Sequence, residues 1–214
     1  MKLLGSHNSL SYLRPKKLYM YPFIFTAKCQ KVNYEEQYEN YKIRVFDLRV
    51  WFDKDGNLEV RHGAMVYNID LNGVYEFLHY LNSKTDSYVR IILEEDNLSK
   101  REKNSAWKEI LFDKFCTSIE TLFTNVYFFG GRRKYDWLRI HDFKHDDIPL
   151  LDLYSSTTRF FGKAVFKKGV NMILNMADDW YPWLYAKFHN KKNYQEYINN
   201  DKEECLMCDF INIR

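Results

Sequence analysis

The sequence predicts an α/β fold, a small, imperfect or incomplete TIM-type (β/α) barrel, on three observations. Short runs rich in β-branched and aromatic residues alternate with amphipathic helical stretches along the chain, which argues for a parallel sheet. No glycine-rich phosphate loop follows the first strand, so a barrel is favoured over a doubly wound sheet. The chain has 214 residues. That is near the ~200-residue lower limit for such barrels, so some crossover helices should be reduced or missing. With 46% hydrophobic residues and no repeat or low-complexity linker, residues 1–214 read as a single domain around one core.

In chain order, the strand candidates are "KLLGS", "KIRVFDLRVWF", "LEVRHG", "YVRIILEED", "NVYFFGG", "GKAVFKK", "VNMILNMAD" and "CLMCDFINI". Helical spacing appears in Leu71, Val74, Tyr75, Leu78 and Leu81. It recurs in Trp107, Ile110, Leu111, Phe115, Ile119 and Leu122, and a third helical region spans "WYPWLYAKFHNKKNYQEYINN". The turn "DKDGN" suits a tight reversal before "LEVRHG".

Composition removes several functional classes. The 32 basic and 29 acidic side chains leave a net charge of +3 with no charged block, so bulk nucleic-acid binding is not expected. The N-terminus lacks a signal peptide's apolar region, and no run approaches the ~20 apolar residues of a membrane span. The reading is therefore a cytoplasmic protein, expected to be monomeric. Cys205 and Cys208 form a C-x-x-C pair, but strand-like flanks put them on opposite faces and no second pair completes a zinc set.

The polar residues that remain gather at strand ends. "LGSHNSLSYL" places His7 and Asn8 where the first strand gives way to a loop. Asp47 and Arg49, two apart in "RVFDLRVWF", share a strand face turned to the barrel interior, while Phe46, Leu48 and Val50 take the other face. His62 closes "LEVRHG", Glu94 and Glu95 close "RIILEED", and Asp209 lies in the last strand. Burying this many charges costs several kcal/mol per uncompensated ion, which a fold tolerates mainly where a site needs them. Two imidazoles and a guanidinium suit phosphodiester cleavage: one ring takes a proton from the attacking hydroxyl, the other returns one to the leaving oxygen, and the guanidinium neutralises phosphoryl charge.

"GSHNSLSYL", "QKVNYEEQYENYKIRVFDLRVWF", "LEVRHG" and "RIILEEDN" resemble the X-domain family of phosphatidylinositol-specific phospholipase C, and "MCDFIN" is similar to that family's last strand. The resemblance implies an imperfect barrel that cleaves phosphatidylinositol to diacylglycerol and a cyclic inositol phosphate through attack of the inositol 2-hydroxyl. It implies His7 as general base oriented by Asp209, His62 as general acid supported by Asp47, and Arg49 in the place of a metal ion. Asn8, Glu94, Arg132, Arg133, Lys163 and Asp178 are the expected substrate-contacting residues. No cofactor is expected; the alternative is calcium at Asn8, Asp47 and Glu94. Basic and aromatic residues at 14–25 and 178–185 would give transient contact with a lipid surface. Two rival readings stay open: a metal-dependent glycerophosphodiester phosphodiesterase, suggested by "DKDGNLEVRHG", and a non-catalytic lipid-headgroup binding module.

Overall fold

Among the described residues eight strands build the sheet, and six of them run parallel. The computed structural model describes residues 2–94, 106–130, 152–155, 182–201 and 204–213. The strands are β1 (Leu3–Ser6), β2 (Val45–Phe52), β3 (Leu58–His62), β4 (Met65–Val66), β5 (Ser87–Leu93), β6 (Val126–Gly130), β7 (Asp152–Ser155) and β8 (Glu204–Cys208). The helices are α1 (Tyr34–Glu39), α2 (Leu71–Asn82), α3 (Ala106–Leu122) and α4 (Pro182–Asn199), with a 3-10 helix at Leu18–Thr26.

Parallel pairing runs β7-β8-β1-β2-β5-β6, and β3 and β4 extend antiparallel from the upper half of β2. This is the barrel-like architecture expected from the alternation. Among the described residues the sheet is open, because β6 and β7 are not paired with each other. The expected strands "GKAVFKK" and "VNMILNMAD" lie outside the described residues.

Alternation along β2 separates two apolar groups. Phe46, Leu48 and Val50 are buried in the main core with α2 residues Val74, Phe77, Leu78 and Leu81. Val45 instead packs inside the barrel with Cys205 and Met207. Gly5 faces that interior, where a Cβ would come within 2.1 Å of Met207 Sδ, so only glycine lets the Met207 side chain cross above β1. Cys205 lies in the inner group and Cys208 in the main core, so β8 does put the C-x-x-C pair on opposite faces.

The ladder register then fixes the next layer up. Gly5 is level with Val45 and with Met207, and Asp47 is level with Arg90. One period of two further along each strand, His7, Asp47, Arg90 and Asp209 reach the same level on the interior face.

Helix α3 buries a different stripe from the one expected. Phe112, Phe115, Cys116, Ile119 and Phe123 are buried, whereas Trp107, Ile110 and Leu122 are 40%, 56% and 55% exposed. Phe112, Cys116 and Phe123 follow the same helical period with a narrower apolar arc, and this arc packs on the sheet. Helix α1 begins at an Asn33 cap whose side chain accepts from the Glu36 N–H.

Candidate active site

The strand-end residues converge on the barrel interior and interlock. His7 Nδ1 lies 2.7 Å from Asp209 Oδ1, and His7 Nε2 lies 2.7 Å from an Arg49 terminal nitrogen. A guanidinium N–H can only donate, so Nε2 accepts and the ring proton sits on Nδ1, donated to Asp209. Backbone pairing holds the residue as well: His7 N–H donates to the Cys208 carbonyl at 3.0 Å. Gln30 Nε2 bridges the carbonyls of His7 and Cys208 at 3.0 and 2.8 Å, stitching the ends of β1 and β8.

Asp47 is the electrostatic hub. Its Oδ2 accepts from Arg49 Nε at 2.9 Å and from Asn8 N–H at 3.0 Å, while Oδ1 accepts from Arg90 Nε at 2.8 Å. Burial pushes this carboxyl up, but Arg49, Arg90 and His7 outweigh it and hold the group well below the usual carboxylate range. Burial likewise opposes charge on Arg49, and Asp47 and Glu94 overcome it, so the guanidinium stays charged. Removing Asp47 would take the carboxylate from the buried Arg90 guanidinium and leave Arg49 with Glu94 alone, a loss of about 3–5 kcal/mol for a broken buried pair.

Glu94 links the two halves of the site. Its Oε2 accepts from Arg49 at 3.1 Å and its Oε1 from Gly63 N–H at 2.9 Å, immediately after His62. Gly63 has φ +57°, a left-handed conformation that admits this approach without a Cβ penalty.

His62 donates from Nδ1 to the Ala27 carbonyl at 3.0 Å, a carbonyl that also accepts from the buried Tyr67 hydroxyl at 2.8 Å. The rings of His7 and His62 face each other edge to face, with centroids 5.5 Å apart. Burial, then the nearby Arg49 and His7, push the His62 imidazole down to about 4. The ring is therefore neutral at neutral pH, with Nε2 carrying a free lone pair. The support of His62 by Asp47 that the resemblance implies is not what the geometry shows. Asp47 spends both oxygens on Arg49, Arg90 and the Asn8 amide, and Ala27 positions the His62 ring.

Asn8 is fully buried with φ 45°, and among the described residues neither its Nδ2 nor its Oδ1 has a partner. An amide held in that state forgoes hydrogen bonds that a bound ligand could supply.

Of the expected site residues, the structure thus brings together His7, Asn8, Asp47, Arg49, His62, Glu94 and Asp209. Arg132, Arg133, Lys163 and Asp178 lie outside the described residues. Arg90, Gln30 and Cys29 were not anticipated. Arg90 could have been found, since the period of two along "RIILE" puts it on the face of Glu94. Cys29 is fully buried with its Sγ 3.8 Å from His62 Nδ1. Gln30 and Cys29 come from a loop, and no local pattern marks them.

Both oxygens of Asp47 and both of Glu94 already accept from Arg49, Arg90 or backbone N–H groups, whereas calcium needs six to eight oxygen ligands.

The family model described as "Phosphatidylinositol-specific phospholipase C, X domain" matches residues 5–126. Among solved structures, the chain is similar to the phosphatidylinositol-specific phospholipase C from Listeria monocytogenes, with 17% identity over 97% of this chain and 87% of that one and a TM-score of 0.59. It is also similar to a mutant of the phosphatidylinositol-specific phospholipase C from Staphylococcus aureus, with 14% identity over 97% and 84% of the two chains and a TM-score of 0.59. No curated protein sequence matches.

Proposed function

Because the chain belongs to the phosphatidylinositol-specific phospholipase C X-domain family, we propose that it cleaves a phosphoinositide-type lipid by intramolecular attack of the inositol 2-hydroxyl, releasing diacylglycerol and a cyclic inositol phosphate. Family membership supports phosphodiester cleavage in general. The finer reading rests on one observation: two imidazoles face each other across 5.5 Å, and one of them is bonded to a charged guanidinium.

In this reading His7 Nε2 takes the proton of the 2-hydroxyl. Arg49 yields its bond to that nitrogen as the phosphoryl oxygens arrive, and Asp209 stabilises the imidazolium that forms. Arg49 neutralises charge growing on phosphorus, a task for which its two remaining carboxylate contacts keep it oriented. His62 returns a proton to the diacylglycerol oxygen. It must first take one up, and the phosphodiester anion beside it supplies the field that raises its affinity. Asn8 offers its unpartnered amide to the substrate, and Arg90 holds Asp47 in place. No metal enters this scheme. The geometry gives no particular support to a glycerophosphodiesterase, which would need a carboxylate metal site.

The lipid surface is met by the 3-10 helix at Leu18–Thr26. None of its residues is buried, and Leu18, Tyr19 and Phe23 are 85%, 66% and 56% exposed. Lys17 lies over the Tyr19 ring, and on α4 the exposed Trp183 carries Lys187 over its ring, a pairing suited to anionic headgroups. Among the described residues no helix is long and apolar enough to cross a membrane, so contact would be peripheral.

The test is turnover of phosphatidylinositol vesicles by His7→Ala and His62→Ala. Each should lose at least ~10²-fold while circular dichroism shows the fold retained. Near-normal turnover by either variant would defeat the acid and base assignment.

A further inference from the structure

We propose that His7, Cys29 and His62 form a site for a thiophilic divalent cation of the zinc or cobalt class, and that its occupancy shuts the catalytic centre. The effect on turnover rests on the proton-transfer roles proposed above; the binding itself does not.

One ligand atom from each of the three residues lies within 4.8 Å of the other two. Tetrahedral zinc, with bonds of about 2.0–2.3 Å, holds its ligand atoms roughly 3.3–3.8 Å apart. The contact from Cys29 Sγ to His62 Nδ1, at 3.8 Å, already has that spacing, and coordination there would move the ring proton to Nε2 and replace the bond to the Ala27 carbonyl. The remaining separations close by at most about 1.5 Å through adjustments of the two rings.

The thiol itself is fixed in place. Cys29 N–H donates to Ser11 Oγ at 3.0 Å, and the Cys29 carbonyl accepts from Phe210 N–H, pinning the loop between the β1 and β8 ends. The carboxylate of Asp209 already holds His7 through Nδ1, as metal-bound imidazoles are commonly held, so Nε2 is the atom to turn toward the ion.

Two nitrogens and a sulfur select soft and borderline ions over calcium or magnesium. The charge balance is reasonable because coordination converts Cys29 to a thiolate, its Sγ proton leaving to solvent while both imidazoles stay neutral. Burial, then Asp209, keep that thiol protonated when no cation is present. Coordination would pull His7 Nε2 from Arg49 and occupy His62, removing base and acid in one event. This is distinct from a cation that assists catalysis at carboxylates.

Two readouts test the proposal. Cobalt(II) added to EDTA-stripped protein without substrate should give a thiolate-to-cobalt charge-transfer band that saturates at one equivalent. The band should vanish in Cys29→Ser and in Cys29→Ala, which separates it from Cys116, Cys205 and Cys208. Calcium should not compete for the site. Zinc should lower turnover at least ~10-fold reversibly with EDTA, and Cys29→Ser should need at least ~10-fold more zinc for half-inhibition, relative to its own zinc-free rate. Should neither Cys29 variant fold, His62→Gln must shift the cobalt spectrum. Absence of the band in the unmutated protein, or a band unchanged in these variants, would overturn the site. A saturable band in a protein with no phosphodiesterase turnover would keep the site and defeat the catalytic reading instead.

Discussion

The protonation state of His62 is open to direct measurement. Burial and two neighbouring positive or protonatable groups lower its imidazole from 6.5 to about 4. That difference corresponds to roughly 3 kcal/mol in favour of the neutral ring, and to about one protonated ring in a thousand at pH 7. A proton donor so rarely loaded is a poor acid until substrate arrives. A phosphodiester anion placed beside the ring should raise its proton affinity toward neutrality. The perturbation is a pH titration of the folded protein, followed by ring-nitrogen NMR with and without a saturating non-hydrolysable inositol phosphonate. The free protein should show His62 titrating near pH 4 with the proton of the neutral form on Nδ1. The complex should show it titrating at least one unit higher. The same displacement has a stability consequence. The unfolded chain binds the proton first, so stability should fall as pH drops from about 6.5 to about 4, by up to roughly 3 kcal/mol, and His62→Gln should remove that portion. A free-protein value near 6.5, or no response to the anion, would refute the reasoning.

Two further predictions concern the cation and the interface. Activity should survive EDTA, and Arg49→Lys should lose at least ~10²-fold, because one ammonium nitrogen cannot span the positions from which the separate guanidinium nitrogens reach Asp47, Glu94 and a phosphoryl oxygen; restoration of EDTA-treated protein only by added calcium would contradict this. Leu18→Ser with Phe23→Ser should weaken sedimentation with phosphatidylinositol vesicles at least ~10-fold and leave cleavage of a water-soluble inositol phosphodiester within about twofold; equal losses on both substrates would place these residues in the site rather than at the lipid surface.

Much of the site could be read from the sequence because strand ends concentrate it. A period of two put Asp47 and Arg49 on one face, and the order of His7, Asp47, Arg49 and His62 carried the family resemblance. What the pattern could not supply was the partner of each group. Asp47 meets Arg90 only through the β2 and β5 register, and Ala27 meets His62 only through the path of a loop. Short elements escaped for a related reason. The two-residue β4, and β7 in "DLYS", are too brief for any period to show, and the 3-10 helix at Leu18–Thr26 contains Pro22 and an apolar run from which only Met20 and Ile24 turn toward the core. On α3 the period was right and the arc was not, since exposed Trp107, Ile110 and Leu122 resemble core residues until the sheet is present.

In the proposed reading the substrate's own hydroxyl is the nucleophile, with His7 as its base, His62 as the acid for the leaving oxygen and Arg49 on the phosphoryl oxygens. Time-resolved phosphorus NMR of the first turnovers on phosphatidylinositol in oxygen-18 water tests that directly. A cyclic inositol phosphate should appear first and carry no heavy label. Acyclic phosphate labelled from the first turnover, with no cyclic species, would contradict it.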